Sequence, residues 1–331
     1  MSEGLTKLAP GPGNVALAER PERDPGPGYV ALRVEATGVC GTDLHIEAGE
    51  YPSVPPVTMG HEVCGVVATL GAGVDGGWDG VRVVSETYYA TCGRCAHCRS
   101  GRPNLCGRRQ SIGTHVDGAF APRVIVPAHG LHRLPDGLGA TEGSLSEPLA
   151  CVCQSLLDPP VISAGDRVLV LGPGAIGLLA AQVARAGGGA VTVQGAPRDA
   201  ARLALARELG FDAIVAGEAP AGGFDVVVEC SGSTPGIAQA LESARRGGRI
   251  VQIGLRGAPV TVDWDLICFH ELTVTSGFAS TPASWRRAMA LLDPRAVALG
   301  PLVSAVLPLA RWREAFDDSR AGRAVKAVLQ P

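Results

Sequence analysis

The run Arg167-Val-Leu-Val-Leu-Gly-Pro-Gly-Ala-Ile-Gly177 decides the fold of this chain. Residues 168–171 form a wholly apolar stretch that leads directly into glycines spaced G-x-G-x-x-G. An Ala/Leu-rich segment from Ala175 to about Ala186 follows at once and is typical of a helix. The stretch therefore predicts a strand, a tight turn and a helix.

The G-x-G-x-x-G spacing alone is a weak signal, because it can arise by chance in a chain with 45 glycines. Its position between a predicted strand and a predicted helix is what indicates a function. The first glycine permits the tight turn, the second lets a pyrophosphate approach the helix N-terminus, and the third lets helix and strand pack closely. The alternative is a purely structural strand-turn-helix. We predict a dinucleotide site at the residues Gly172, Gly174, Ala175, Ile176 and Gly177.

The next predicted strand bears on the choice of dinucleotide. It ends Val193-Gln-Gly-Ala-Pro-Arg198, without the acidic residue that binds the ribose 2′-hydroxyl of NAD. The missing carboxylate removes repulsion toward a 2′-phosphate, and Arg198 could contact that phosphate. We therefore predict NAD or NADP, with NADP favoured, next to Gly195 and Arg198; a solvated loop arginine is the alternative for Arg198.

The rest of the chain divides around this motif. From about Ala164 strands alternate with helices, which predicts a doubly wound parallel sheet and an α/β fold. Residues before 150 are rich in Gly and Pro and contain short β-type runs, which favours a partly open barrel or sandwich. We predict a β-rich domain over 1–150, a nucleotide domain over 151–288, and a return to the first domain over 289–331.

Composition excludes several classes of protein. A chain of 331 residues with 46% hydrophobic residues has room for two cores. Its net charge is -3 and its basic residues form no stripe along the sequence, so we expect no nucleic-acid partner. The N-terminus has no leader pattern and no apolar run reaches membrane-spanning length, so we expect a cytoplasmic protein without a membrane partner. Lysine occurs only at Lys7 and Lys326, which we attribute to coding bias.

Four cysteines form a compact lobe over about 88–110. Cys92, Cys95, Cys98 and Cys106 follow a spacing that can place four thiolates around one ion. An iron-sulfur site is less consistent with the seven-residue last spacer, and the polar residues between the cysteines argue against merely buried thiols. We predict a closed, structural zinc site.

A second, open metal site needs mixed ligands. The candidates are Cys40 in Gly38-Val-Cys-Gly-Thr-Asp-Leu-His45, the pair His61-Glu62, and Glu147 in Ser146-Glu-Pro-Leu149. Neighbours on an ideal strand point to opposite faces, so at most one of His61 and Glu62 is expected to bind the metal unless the backbone bends. His61 is the better candidate.

With these motifs in this order, the chain resembles the zinc-containing medium-chain dehydrogenases/reductases over nearly its whole length, nearest to the sorbitol and threonine dehydrogenase branch. The resemblance implies a GroES-like catalytic domain and a Rossmann domain. It implies a zinc-dependent oxidoreductase that interconverts a secondary alcohol, such as a polyol or amino-polyol, and its ketone with NAD(P). The alternatives are a non-catalytic nucleotide-binding scaffold of the same fold and a zinc-independent enone or quinone reductase.

The resemblance also implies residue roles. Cys40 and His61 would bind the catalytic zinc, with Glu62 as a direct or exchangeable ligand and Glu147 binding the metal or its water, so that each chain carries two zinc ions. Thr42 would take the alcohol proton and pass it through the nicotinamide ribose toward His45. Cys230 and Gly254 would lie near that ribose. The binding partner would be a small-molecule alcohol or ketone substrate. The protein would assemble as a homodimer or homotetramer.

Overall fold

The computed structural model describes residues 2–292 and 296–331, and the chain divides into two compact units. The first contains Met1–Glu147 and Val303–Pro331, and the second contains Pro148–Leu302. Among the described residues, no helix combines the length and apolar character needed to cross a membrane.

The first unit is built mainly from strands. Its amino-terminal part contains β1 (Ser2–Lys7), β2 (Val15–Arg20), β3 (Tyr29–Gly38), α1 (Gly41–Ala48), β4 (Val57–Thr58), β5 (Glu62–Leu70), β6 (Arg82–Ser85), β7 (Tyr88–Ala90), α2 (Ala96–Arg99), β8 (Gln110–Ser111), β9 (Arg123–Pro127), β10 (Leu131–Arg133) and α3 (Ala140–Gly143). Strands β3 and β5 are buried over continuous runs, Val30–Leu32 in β3 and Glu62–Gly65 in β5, as expected for strands covered on both faces.

The second unit follows as an alternation of strands and helices. Its elements are α4 (Ser146–Leu157), β11 (Arg167–Leu171), α5 (Ala175–Ala186), β12 (Ala190–Gly195), α6 (Ala200–Glu208), β13 (Asp212–Val215), β14 (Phe224–Glu229), α7 (Thr234–Ser243), β15 (Ala244–Gln252), α8 (Leu266–Phe269), β16 (Thr273–Ser276) and α9 (Pro282–Leu291). Helix α4 begins in the last residues of the first unit.

The strands of the second unit form one parallel sheet in the order β13-β12-β11-β14-β15-β16. Strands β11 and β14 lie side by side although two helices and two strands separate them in sequence, so the chain order reverses between them. This reversal makes a crevice at the carboxyl edge of the sheet, the place where ligands bind in such folds. The predicted doubly wound α/β architecture is confirmed.

The last segment returns to the first unit with β17 (Val303–Pro308), α10 (Trp312–Arg320) and β18 (Lys326–Gln330). Strand β18 pairs with β17 and β3, which completes a sheet in the order β10-β6-β5-β3-β18-β17, with β9 beside β3. We predicted this return from residue 289, whereas the unit boundary lies at Val303. Helix α9 accounts for the difference, because Trp285 is fully buried and Thr281 donates a hydrogen bond to Gln154 of the second unit at 3.0 Å.

Candidate active site

Helix α1 is held in place by its buried face. Ile46 is fully buried in a cluster with Trp312 and Phe316 of α10, and burial of one such side chain stabilises by about 2 kcal/mol. Cys40 precedes the helix, and its backbone N–H donates to Asp43 Oδ2 at 2.9 Å. Asp43 itself is fully buried. The helix therefore fixes Cys40 at its N-terminus.

His61 and Glu62 stand where a turn becomes a strand. Gly60 has a φ of +88°, a conformation that favours glycine, and β5 begins only at Glu62. His61 thus precedes the regular strand, and both side chains reach the same site. The exception that we allowed for a bent backbone therefore applies here, and binding of a metal by both residues stays a prediction.

Three possible metal ligands converge here. One ligand atom each from Cys40, His61 and Glu62 lies within 4.8 Å of the others, and His61 and Glu62 are buried. Asp43 Oδ1 is buried without a hydrogen bond in the described part of the chain, 3.7 Å from His61 Nδ1. Sulfur, imidazole and carboxylate donors form a set that zinc accepts, so these residues fit the ion.

Burial and charge act in opposite directions on His61. Burial lowers the pKa of this imidazole, but the charges on Cys40 and Asp43 outweigh it and raise the pKa well above its usual range. The groups next to His61 therefore favour a positive charge at this position, as expected for residues that hold a cation.

Glu147 lies outside this group of three. It is buried in the first turn of α4. It nevertheless acts on the same region, because its charge contributes to the raised pKa of Lys326. Its assignment as a ligand stays a prediction.

Lys326 is a residue that our sequence interpretation missed. It lies on β18 with 5% of its surface exposed, and its Nζ donates to Glu62 Oε1 at 2.7 Å and to the carbonyl of Val39 at 2.9 Å. Burial lowers the pKa of this amine, yet the charges of Glu62 and Cys40 raise it overall. A buried cation thus sits against a candidate ligand.

The predicted proton-relay residues lie on α1. Thr42 is half-buried. His45 Nδ1 lies 2.7 Å from Glu50 Oε2, with both side chains partly exposed. Gly49 ends the helix in a left-handed conformation, and the backbone N–H of Glu50 returns to the carbonyl of His45 at 2.8 Å. His45 therefore has an acidic partner that faces solvent.

The cysteine lobe brings its four sulfurs together. Cys92, Cys95, Cys98 and Cys106 offer Sγ atoms within 4.8 Å of one another, with 4.0 Å between Cys92 and Cys98. Four sulfurs bound tetrahedrally to one zinc lie roughly 3.8 Å apart. Backbone N–H groups that point at the sulfur lower the pKa of Cys92 to about 6, which favours the thiolate that binds metal.

The glycine turn after β11 has the shape of a phosphate cradle. A Cβ on Gly174 would meet no atom within 4 Å, so its backbone faces open space at the N-terminus of α5. A Cβ on Gly177 would lie 1.9 Å from the carbonyl oxygen of Gly172, so only glycine fits there. Ala175 and Ile176 are half-buried in the first turn of the helix. These residues fit a dinucleotide pyrophosphate.

Two further groups line the same carboxyl edge. Gly195 ends β12 with a Cβ position 2.9 Å from Pro173, and Arg198 is exposed just beyond it. On the other side of the crevice, Cys230 follows β14 and Gly254 follows β15. The structure therefore brings the predicted cofactor residues to one edge of the sheet.

Comparison with known proteins identifies the family. The profile described as alcohol dehydrogenase GroES-like domain matches residues 26–136, and that described as zinc-binding dehydrogenase matches residues 175–293. The chain is 39% identical to the sorbitol dehydrogenase of Halalkalibacterium halodurans, over 99% of each sequence. The chain belongs to the zinc-containing medium-chain dehydrogenase/reductase family.

Other members of this family support the same assignment. The D-arabitol-phosphate dehydrogenase of Enterococcus avium is 34% identical over 99% of this chain and 97% of that protein. A crystal structure of a zinc-binding dehydrogenase from Sinorhizobium meliloti 1021, bound to NADP, covers 100% of this chain and 99% of that one at 35% identity, with a TM-score of 0.90. This chain is an NAD(P)-dependent oxidoreductase that acts on CH–OH groups.

Proposed function

We propose that the protein is a zinc-dependent dehydrogenase that interconverts a polyol or a similar secondary alcohol and its ketone. The observation that carries this proposal is the convergence of Cys40, His61 and Glu62 within 4.8 Å in a buried site. The sorbitol and D-arabitol-phosphate dehydrogenases among its relatives support a polyol as the substrate class.

In this proposal Cys40 and His61 would hold a catalytic zinc, with Glu62 as a direct or exchangeable ligand and Glu147 binding the metal or its water. When bound, the ion supplies a Lewis acid that lowers the pKa of the alcohol hydroxyl. The cysteine lobe holds a second, structural zinc, because four thiolates leave no open position. Two zinc ions per chain follow from this assignment.

A bound nicotinamide would accept the hydride of the alcohol, and the alcohol proton would have to leave the site. Thr42 would take that proton, and His45 would receive it through the nicotinamide ribose. The 2.7 Å contact between His45 Nδ1 and Glu50 Oε2 supports this role, since it gives the imidazole a hydrogen-bond partner on its solvent side. Both side chains are partly exposed, so the proton can reach water.

We favour NADP over NAD as the cofactor. Strand β12 ends without an acidic residue, and the exposed Arg198 follows it closely enough in sequence to be a candidate cation for a 2′-phosphate. The NADP bound to the Sinorhizobium meliloti relative supports the same choice.

Metal analysis and a substrate panel test this function together. We expect purified protein to contain about two zinc ions per chain and to oxidise polyols faster than simple secondary alcohols, with a higher kcat/KM for NADP than for NAD. A zinc-free protein that still turns over would contradict the catalytic metal. Equal or better use of NAD would contradict only the cofactor choice.

We also propose that the protein is a cytoplasmic homo-oligomer. Strand β16 lies at the end of its sheet with all four residues exposed, so its edge is open to a second copy. Val274 of this strand is 41% exposed, and Trp264 at 64% and Phe269 at 68% are exposed in the segment that precedes it in sequence. Light scattering is expected to give two or four times the chain mass of 33.8 kDa, and a monomeric mass at micromolar concentration would contradict this.

A further inference from the structure

Glu229, at the end of β14, is a fully buried carboxylate. It accepts hydrogen bonds from the backbone N–H of Ser231 at 2.8 Å, the backbone N–H of Gly232 at 3.1 Å, and Gln252 Nε2 at 2.8 Å. The Ser231 hydroxyl also donates to it. Both oxygens therefore act as acceptors, as in the ionised form.

This buried charge has no counter-ion in the part of the chain that the structure describes. Its partners there are backbone, amide and hydroxyl groups, although buried carboxylates are usually paired with a cation. A Cβ on Gly236 would lie 2.9 Å from Glu229 Oε1, which places the carboxylate against the first turn of α7. The helix N-terminus stabilises the anion but leaves its full negative charge in place.

The charge of Glu229 also affects the pKa of the neighbouring thiol, Cys230. Burial, and secondly the charge of Glu229, raise the pKa of Cys230 well above its usual range. The negative field of Glu229 therefore extends into the loop that follows β14.

Glu229 lies on the side of the crevice where the nicotinamide half of the cofactor is expected to bind. The crevice lies between β11 and β14, and the pyrophosphate site is the N-terminus of α5. The adenosine half belongs beside β12, so the nicotinamide half belongs beside β14 and β15. Glu229 ends β14, and its carboxylate is tied to Gln252 at the end of β15.

We propose that the uncompensated charge of Glu229 raises the affinity of the site for the oxidised dinucleotide relative to the reduced one. The oxidised nicotinamide ring is a cation and the reduced ring is neutral, so a fixed anion nearby stabilises only the oxidised form. This inference rests on the proposed dinucleotide function. It assigns Glu229 as a positioning residue that acts through its field. By stabilising the bound oxidised cofactor, the charge shifts the equilibrium on the enzyme toward the alcohol and the oxidised dinucleotide.

Binding of both cofactor forms, measured without substrate, tests the proposal. The ratio of the dissociation constants for the reduced and oxidised forms is obtained by calorimetry and nucleotide fluorescence. In Glu229→Gln we expect the affinity for the oxidised form relative to the reduced form to fall by roughly three- to tenfold, as expected for losing one charge in a partly screened interior. A purely structural role would weaken both forms equally.

A second variant keeps the carboxylate and cancels its charge. Gln252→Lys would place an ammonium beside Glu229 Oε2, so the ratio is expected to fall in the same direction as in Glu229→Gln. Glu242→Gln is the matched control, because Glu242 is an exposed carboxylate on the same α7, and its ratio is expected to stay unchanged.

The outcomes separate the two proposals. Wild-type protein that binds neither form would overturn the dinucleotide function itself. Normal wild-type binding with an unchanged ratio in folded Glu229→Gln would overturn the role of Glu229. If that variant does not fold, an unchanged ratio in Gln252→Lys overturns it instead.

Discussion

Cys40→Ala is expected to lose one of two zinc ions and nearly all activity. The substitution removes a thiolate from a site whose other donors are His61 and Glu62, while the cysteine lobe keeps all its sulfurs. Turnover should fall by roughly 10³-fold or more, because several kcal/mol of charge stabilisation in the transition state disappear with the ion. Metal analysis should give about one zinc per chain.

A matched variant on the same helix separates metal binding from proton transfer. Thr42 lies two residues from Cys40 and offers no ligand to the group of three. Thr42→Ala should therefore retain both zinc ions and still lose activity, because the alcohol proton has no first acceptor. If Cys40→Ala kept its full zinc content, the assignment of Cys40 to a catalytic metal would be wrong.

The second unit was the most predictable part of the fold. The predicted strand Arg167–Leu171 and the helix from Ala175 to Ala186 coincide with β11 and α5, because apolar runs and a glycine turn are local signals. Strand β13 went unpredicted, and its pattern is weak, with Asp212 exposed and no residue fully buried. Its place is set by pairing with β12, which sequence periodicity does not report.

The candidate site was only partly predictable, for a different reason. The metal-binding side chains lie in short sequence motifs, so Cys40, His61 and Glu62 could be named from sequence alone. Whether adjacent residues share a site depends on the backbone bend at Gly60, which is a three-dimensional property.

The two lysines show the same limit. Their scarcity suggested only coding bias, yet both are nearly completely buried. Lys7 donates to the carbonyls of Gly13 at 2.6 Å and Glu47 at 3.3 Å, and Lys326 reaches Glu62 across 264 residues. A contact between residues so far apart in sequence leaves no local pattern.

Lys326→Met is expected to destabilise the metal-free protein by about 3–5 kcal/mol, the usual cost of leaving half of a buried ion pair behind. The orphaned group would be Glu62, of which 1% of the surface is exposed. Lys326→Arg, which keeps the positive charge, should lose less. Urea unfolding of chelator-treated protein measures the difference, and a loss below about 1 kcal/mol would contradict the ion pair as described.

A double variant and the pH dependence of stability test whether the loss arises from charge. Adding Glu62→Gln to Lys326→Met removes both charges, so the double variant should be more stable than the sum of the two single losses predicts. The pKa of Lys326 is raised from 10.5, so its contribution is complete below that pH and disappears only as pH rises through the higher folded-state value. The destabilisation by Lys326→Met should therefore be constant between about pH 7 and pH 10 and diminish only in stronger alkali, whereas a packing defect would show no such dependence.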